Sequence, residues 1–84
     1  VLIAAYPNPF NPSTNLSYTI SDPGYLQVNI HDVRGRLVES LYSGYTEAGE
    51  HTIKWNAEIY SSGVYLAQFK YKNRLKTHKL MLMK

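Results

Sequence analysis

Residues 16–30 read LSYTISDPGYLQVNI, and this stretch decides the fold class. Leu16, Tyr18 and Ile20 alternate with Ser17 and Thr19, the period-two signature of a half-buried strand. Asp22-Pro23-Gly24 then interrupts the pattern: proline presets φ and glycine accepts a positive φ, so the chain turns. Beyond it Leu26, Val28 and Ile30 point one way and Gln27, Asn29 and His31 the other. The short connection predicts that these two strands are hairpin partners.

The same pattern continues in both directions. Arg34-Gly35 makes a turn into a strand over 37–42, and Ala48-Gly49-Glu50 breaks it before Ile53 and Trp55 alternate with Thr52 and Lys54. After the loop Ser61-Ser62-Gly63, residues 64–71 form a long strand candidate, with Tyr65, Ala67, Phe69 and Tyr71 on one face. Lys72-Asn73-Arg74 closes a tight hairpin into a strand over 75–83, in which Leu80 and Leu82 share one face and Lys79, Met81 and Met83 the other. A strand over 1–6 completes the set. The nearest approach to a helical stripe is Val33, Leu37, Val38 and Leu41, and Gly35 lies inside it. Short alternating strands punctuated by turn residues predict an all-β, antiparallel β-sandwich of about seven strands, with Val28, Ile30, Trp55 and Phe69 in its core.

Composition agrees. Eighty-four residues, 44% apolar and 18% charged, suit one small folded unit rather than a disordered tail. A single domain spanning 1–84 is expected, and a first residue other than Met suggests a piece of a longer chain. No run approaches the ~18 apolar residues of a helical membrane span. The absence of cysteine removes disulfides, thiolate metal sites and thiol nucleophiles. The net charge is +3, and its distribution is uneven: Lys70, Lys72, Arg74, Lys76, Lys79 and Lys84 fall in the last fifteen residues, which contain no acid.

Nothing in the pattern suggests catalysis. Asp22, Asp32, Glu39, Glu47, Glu50 and Glu58 are scattered through turns and exposed strand positions, with no spacing that forces two carboxylates together. His31, His51 and His78 fall on different strands at outward or turn-adjacent places, where solvated side chains are a better reading than a metal site. There is no nucleophile elbow and no phosphate loop. No cofactor is expected. A charge of +3 is a weak field for nucleic acid, and no recognition motif accompanies it. Eight tyrosines suit strands half-buried against a small core, and a flat row of three exposed ones would instead suit sugar rings.

The most distinctive segment is Tyr6-Pro7-Asn8-Pro9-Phe10-Asn11-Pro12-Ser13-Thr14. Its three prolines restrict φ and push the residues before them toward extended conformations. A linker would not carry Tyr6 and Phe10; a rigid crossover whose aromatics plug the end of the sandwich fits better, with Phe10 buried.

This segment resembles the opening of the type A C-terminal sorting domain of the type IX secretion system. The middle is similar too: residues 28–38, with Asp32, Gly35 and Arg36, resemble the family's strand, Asp, Gly-Arg turn and strand. Gly49, Trp55, Gly63, Tyr65 and the closing Lys79-Leu80-Met81-Leu82-Met83-Lys84 follow in the family's order, so the resemblance covers nearly all of 6–84. His31 stands where the family usually has tyrosine. A related immunoglobulin-like domain, similar to the flagellar hook-capping protein, shares the opening motif but has a longer loop than residues 56–61 provide.

The resemblance implies an immunoglobulin-like sandwich that acts as an address. Its partners would be the outer-membrane secretion machinery and a surface sortase, and its parent chain would carry an N-terminal cargo domain. Export would run through the periplasm and across the outer membrane, to the cell surface or the medium, without insertion into the membrane. Lys76, Lys79, Leu80, Leu82 and Lys84 are the expected recognition residues. Tyr6, Pro7, Asn8, Pro9, Phe10, Asp32, Gly35, Arg36, Gly49, Trp55, Gly63 and Tyr65 are expected to serve structure. A homodimer through the edge of the last strand is a further expectation. The alternative is a carbohydrate-binding or structural immunoglobulin-like module attached to an extracellular enzyme.

Overall fold

The computed structural model describes residues 2–84. Its elements are β1 (Leu2–Tyr6), β2 (Ser13–Ile20), β3 (Gly24–Asp32), β4 (Leu37–Thr46), β5 (Gly49–Asn56), β6 (Gly63–Tyr71) and β7 (Arg74–Leu82). The expected strand over 1–6 is present from Leu2; Val1 lies outside the described residues. The strands form two sheets, β1-β2-β5 and β4-β3-β6-β7, with every neighbouring pair antiparallel. In immunoglobulin terms the smaller sheet carries strands A, B and E, and the larger C′, C, F and G.

One expectation is corrected here. β2 and β3 are not hairpin partners: β2 pairs with β1 and β5, while β3 pairs with β4 and β6. The Asp22-Pro23 connection carries the chain from one sheet to the other. Both strands still bury their apolar alternates, because the faces bearing Leu16, Tyr18 and Ile20 and bearing Leu26, Val28 and Ile30 meet across the core. Tyr71 holds this corner by donating its hydroxyl to the Asp22 carbonyl.

The core continues through Trp55 on β5, Tyr65, Ala67 and Phe69 on β6, and Leu80 and Leu82 on β7. Each segment enters it at every second residue, which is the alternation visible in the sequence. β4 departs from that rule. Its register against β3 shifts between Val28 and Asn29 and again between Ile30 and His31, leaving Leu41 and Val38 as the extra residues. Such bulges break the period of two. They let Val38, Leu41 and Tyr42 all pack against the core, and they account for the pseudo-helical spacing of Leu37, Val38 and Leu41 in an extended strand. Gly35 is required at its turn: its φ is +84°, in the region L side chains avoid.

The segment between β1 and β2 is a plug. Phe10 is 2% exposed and lies against Trp55 with ring centroids 5.6 Å apart. Thr14 donates to the Pro7 carbonyl at 2.7 Å, and the Ala57 amide to the Pro12 carbonyl at 2.8 Å. The three Xaa-Pro bonds of the segment are cis.

Candidate recognition surface

Trp55 organises one end of the sandwich. Its ring is flanked by Phe10, Tyr60 and Tyr65, with centroids 5.4–5.9 Å away. Its indole N–H donates to Glu39 Oε1 at 3.2 Å, and the Tyr60 hydroxyl donates to the same oxygen at 3.0 Å. Glu39 therefore is not an exposed strand carboxylate, as its position suggested; the bulged β4 turns it toward the buried indole. Burial, reinforced by the bond to Glu39, raises the Tyr60 pKa. Tyr65 closes the same end by donating to the Ser61 carbonyl at 2.7 Å.

The expected structural residues mostly have such roles. Asp32 accepts from the amides of Arg34 and Arg36 at 2.9 and 3.0 Å and pairs with the Arg36 guanidinium at 3.2 Å. These donors, the Arg36 amide foremost, lower the Asp32 pKa against a smaller opposing effect of desolvation. Asn8 clips the last strand at two points: its Nδ2 donates to the Lys79 carbonyl at 3.1 Å, and its Oδ1 accepts from the Met81 amide at 3.0 Å. Tyr6 is the exception, 80% exposed at the end of β1.

The expected recognition residues divide into two groups. Lys76, Lys79 and Lys84 are exposed, together with Lys70, Lys72 and Arg74. Leu80 and Leu82 are 0% and 1% exposed, which corrects their placement on a receptor-facing surface: even positions of β7 face the smaller sheet, and at these two the core closes over them. Arg74 and Lys76 share that parity but are exposed. With Ser21, Asp22 and Lys72 they rim a depression of about 230 Å³. Asp22 answers this charge only weakly, 4.0 Å from Lys72 with both side chains exposed.

Sequence reasoning missed that the edge of β7 is already partly occupied. The Phe10 amide donates to the Met81 carbonyl and the Met83 amide to the Phe10 carbonyl, both at 3.0 Å, in a parallel bridge. With the two Asn8 bonds this covers the edge from Lys79 to Met83. Nothing in the spacing of residues 8–10 alone announces this clasp, because the residues they bond lie more than 70 positions away.

Tyr25 and Tyr45 are exposed cross-strand partners, but their rings cross at 83°, so they form no flat row. Among the described residues, no three His, Asp or Glu side chains are placed to hold a metal ion. Nor is any helix long and apolar enough to cross a membrane.

No curated protein matches the chain by sequence. The family model described as the secretion system C-terminal sorting domain matches residues 4–83, nearly the whole chain. A seven-stranded sandwich with a plugged Trp55 end and a basic terminal strand is what those matched residues build, and the chain belongs to the C-terminal sorting domain family of type IX secretion.

Proposed function

We propose that this domain is a non-catalytic address, read as a folded surface by the outer-membrane machinery of type IX secretion. It directs an N-terminal cargo domain from the periplasm across the outer membrane, for release or for attachment at the cell surface by a sortase. The observation that carries this reading is the basic terminal strand. Six of nine basic residues lie in 70–84 with no acid among them, all six are exposed, and β7 is an edge of its sheet. Family membership supplies the process, and the charge supplies the surface a receptor can read.

The test is a periplasmic reporter fused to residues 1–84 in a host with this secretion system. Deleting residues 75–84 is a poor probe, because it removes Leu80 and Leu82 from the core. Charge reversal is cleaner: Lys76→Glu with Lys79→Glu alters exposed side chains and leaves the ladder intact. Retention of the folded variant in the periplasm supports the reading. Export equal to the parent sequence would sink it.

A further inference from the structure

We infer that the open stretch of the β7 edge, residues 75–79, takes an extended acidic segment of a partner protein as an added strand. The identity of that partner as part of the secretion machinery rests on the reading above; the site itself rests on backbone geometry.

The groups of β7 that bond the plug are the Lys79 carbonyl, the Met81 amide and carbonyl and the Met83 amide, all from odd-numbered residues. In an antiparallel ladder, N–H and C=O of one residue point to the same side, and successive residues alternate. The β6–β7 register runs from Gly63↔Leu82 to Tyr71↔Arg74 without a shift, so the parity holds along the whole strand. The outward groups below the plug are therefore the amide and carbonyl of Leu75, those of Thr77, and the amide of Lys79. Among the described residues nothing bonds to them. Leu75 is 61% exposed, and Thr77 and Lys79 are exposed as well.

An open, regular edge of this kind is a template for another strand, and proteins that do not use one usually blunt it with proline, a bulge or lysine side chains. β4, the opposite edge of the same sheet, has two bulges; residues 74–79 have neither bulge nor proline, and their Arg74, Lys76 and Lys79 repel a second basic edge but not an acidic strand. The length is set from above, where Asn8 already occupies the Lys79 carbonyl. About five residues of partner, roughly 17 Å, can pair.

The flanking side chains specify the partner's chemistry. On one face of an added strand lie Arg74 and Lys76; on the other lie Leu75, Thr77 and Lys79. Directly opposed cross-strand pairs favour opposite charges and penalise like ones. The complement is a segment alternating carboxylates with valine or threonine. Two copies of this edge would meet base to base, so the same charges that admit an acidic strand discourage self-pairing.

The experiment uses the 84-residue chain and a blocked heptapeptide alternating glutamate with valine and threonine. Amide hydrogen exchange is read by NMR. With the peptide at about ten times its Kd, exchange at the Leu75 and Thr77 amides slows about tenfold, while amides bonded to β6 are unchanged. A peptide with lysine in place of glutamate, and one N-methylated at alternate residues, give no protection. The assignment is overturned if the N-methylated peptide binds as well as the parent, since charge alone would then account for binding. It is equally overturned if the two amides are protected without peptide in a concentration-dependent manner, the mark of a dimer. Thr77→Pro, which removes one outward donor at an edge position that tolerates proline, abolishes the protection. Because the readout is made on the isolated domain, a negative result removes the added strand and leaves the export test standing.

Discussion

Truncating Phe10 to alanine tests whether residues 6–14 are a plug or a link. The ring is 2% exposed and contacts Trp55. A phenylalanine burying about 150 Å² contributes close to 4 kcal/mol at about 25 cal/mol per Å². Cavity formation brings the expected loss for Phe10→Ala to ~3–5 kcal/mol. A domain of this length has a total stability of about 4–13 kcal/mol, so the variant gives up a large share of it. At 4–8 °C per kcal/mol, the thermal midpoint should fall by about 12 °C or more. Urea titration followed by Trp55 fluorescence gives the same quantity at fixed temperature, with an unchanged m-value if the native state keeps its compactness. Phe10→Leu, retaining most of the apolar volume, should cost less than half as much, and it keeps the test readable if the alanine variant does not fold. A midpoint within about 2 °C of the parent for Phe10→Ala would refute the argument and make the segment a plain connection.

The other predictions concern polar groups at the same end and at the core. Glu39→Ala leaves the Trp55 indole and the Tyr60 hydroxyl without their shared acceptor and should cost ~1–3 kcal/mol in urea titration, whereas Glu39→Gln, which keeps an acceptor oxygen, should cost less than half of that. Burial raises the pKa of Tyr18, with Tyr42 adding to the effect, and that of Tyr60 is raised as well. A raised folded pKa favours the neutral hydroxyl, so this stability is complete below the ordinary tyrosine value of 10.0 and is lost as pH climbs through the raised values. Urea midpoints measured from pH 8 to 11 should therefore fall, and less steeply in Tyr60→Phe. The Asp32 pKa is lowered, so its contribution is present above the unfolded carboxylate value and fades as pH drops through the lower folded one; Asp32→Asn should flatten a separate urea profile taken from neutral pH down through the carboxylate range.

Most of the strands were legible because each is a local pattern. Leu16-Tyr18-Ile20 and Leu26-Val28-Ile30 alternate within a few residues, and burial follows that alternation in the structure. The sheet to which each belongs was not legible. A short link containing Pro23 can return a strand beside its predecessor or carry it across the core, and both outcomes bury the same residues. The difference is settled by β5 and β6, which pair with β2 and β3 from far along the chain. Leu80 and Leu82 show a second limit. Their shared face was readable, but placing them on a receptor surface ignored what that face implies, since apolar alternation in an edge strand feeds the core wherever the opposite sheet reaches it. Arg74 and Lys76 have the same parity and are nevertheless exposed, so parity alone does not tell buried from open positions along this strand. Glu39 was misjudged because bulges shift a side chain from one face to the other, and nothing in residues 37–42 alone announces them.

The clasp between Asn8–Phe10 and residues 79–83 has a consequence in time. Its bonds join groups 71 and 73 residues apart, so they number among the most distant contacts the fold contains. Ribosomes make proteins from the N-terminus, so the backbone amide and carbonyl of Phe10 have no partner in β7 until residues 81–83 exist. A chain interrupted before residue 79 lacks the Lys79, Met81 and Met83 groups that bond Asn8 and Phe10, although the Phe10–Trp55 contact and the Thr14–Pro7 and Ala57–Pro12 bonds involve none of them. The clasp therefore forms only once residues 79–83 have been made, and it ties the first crossover of the sandwich to its last strand.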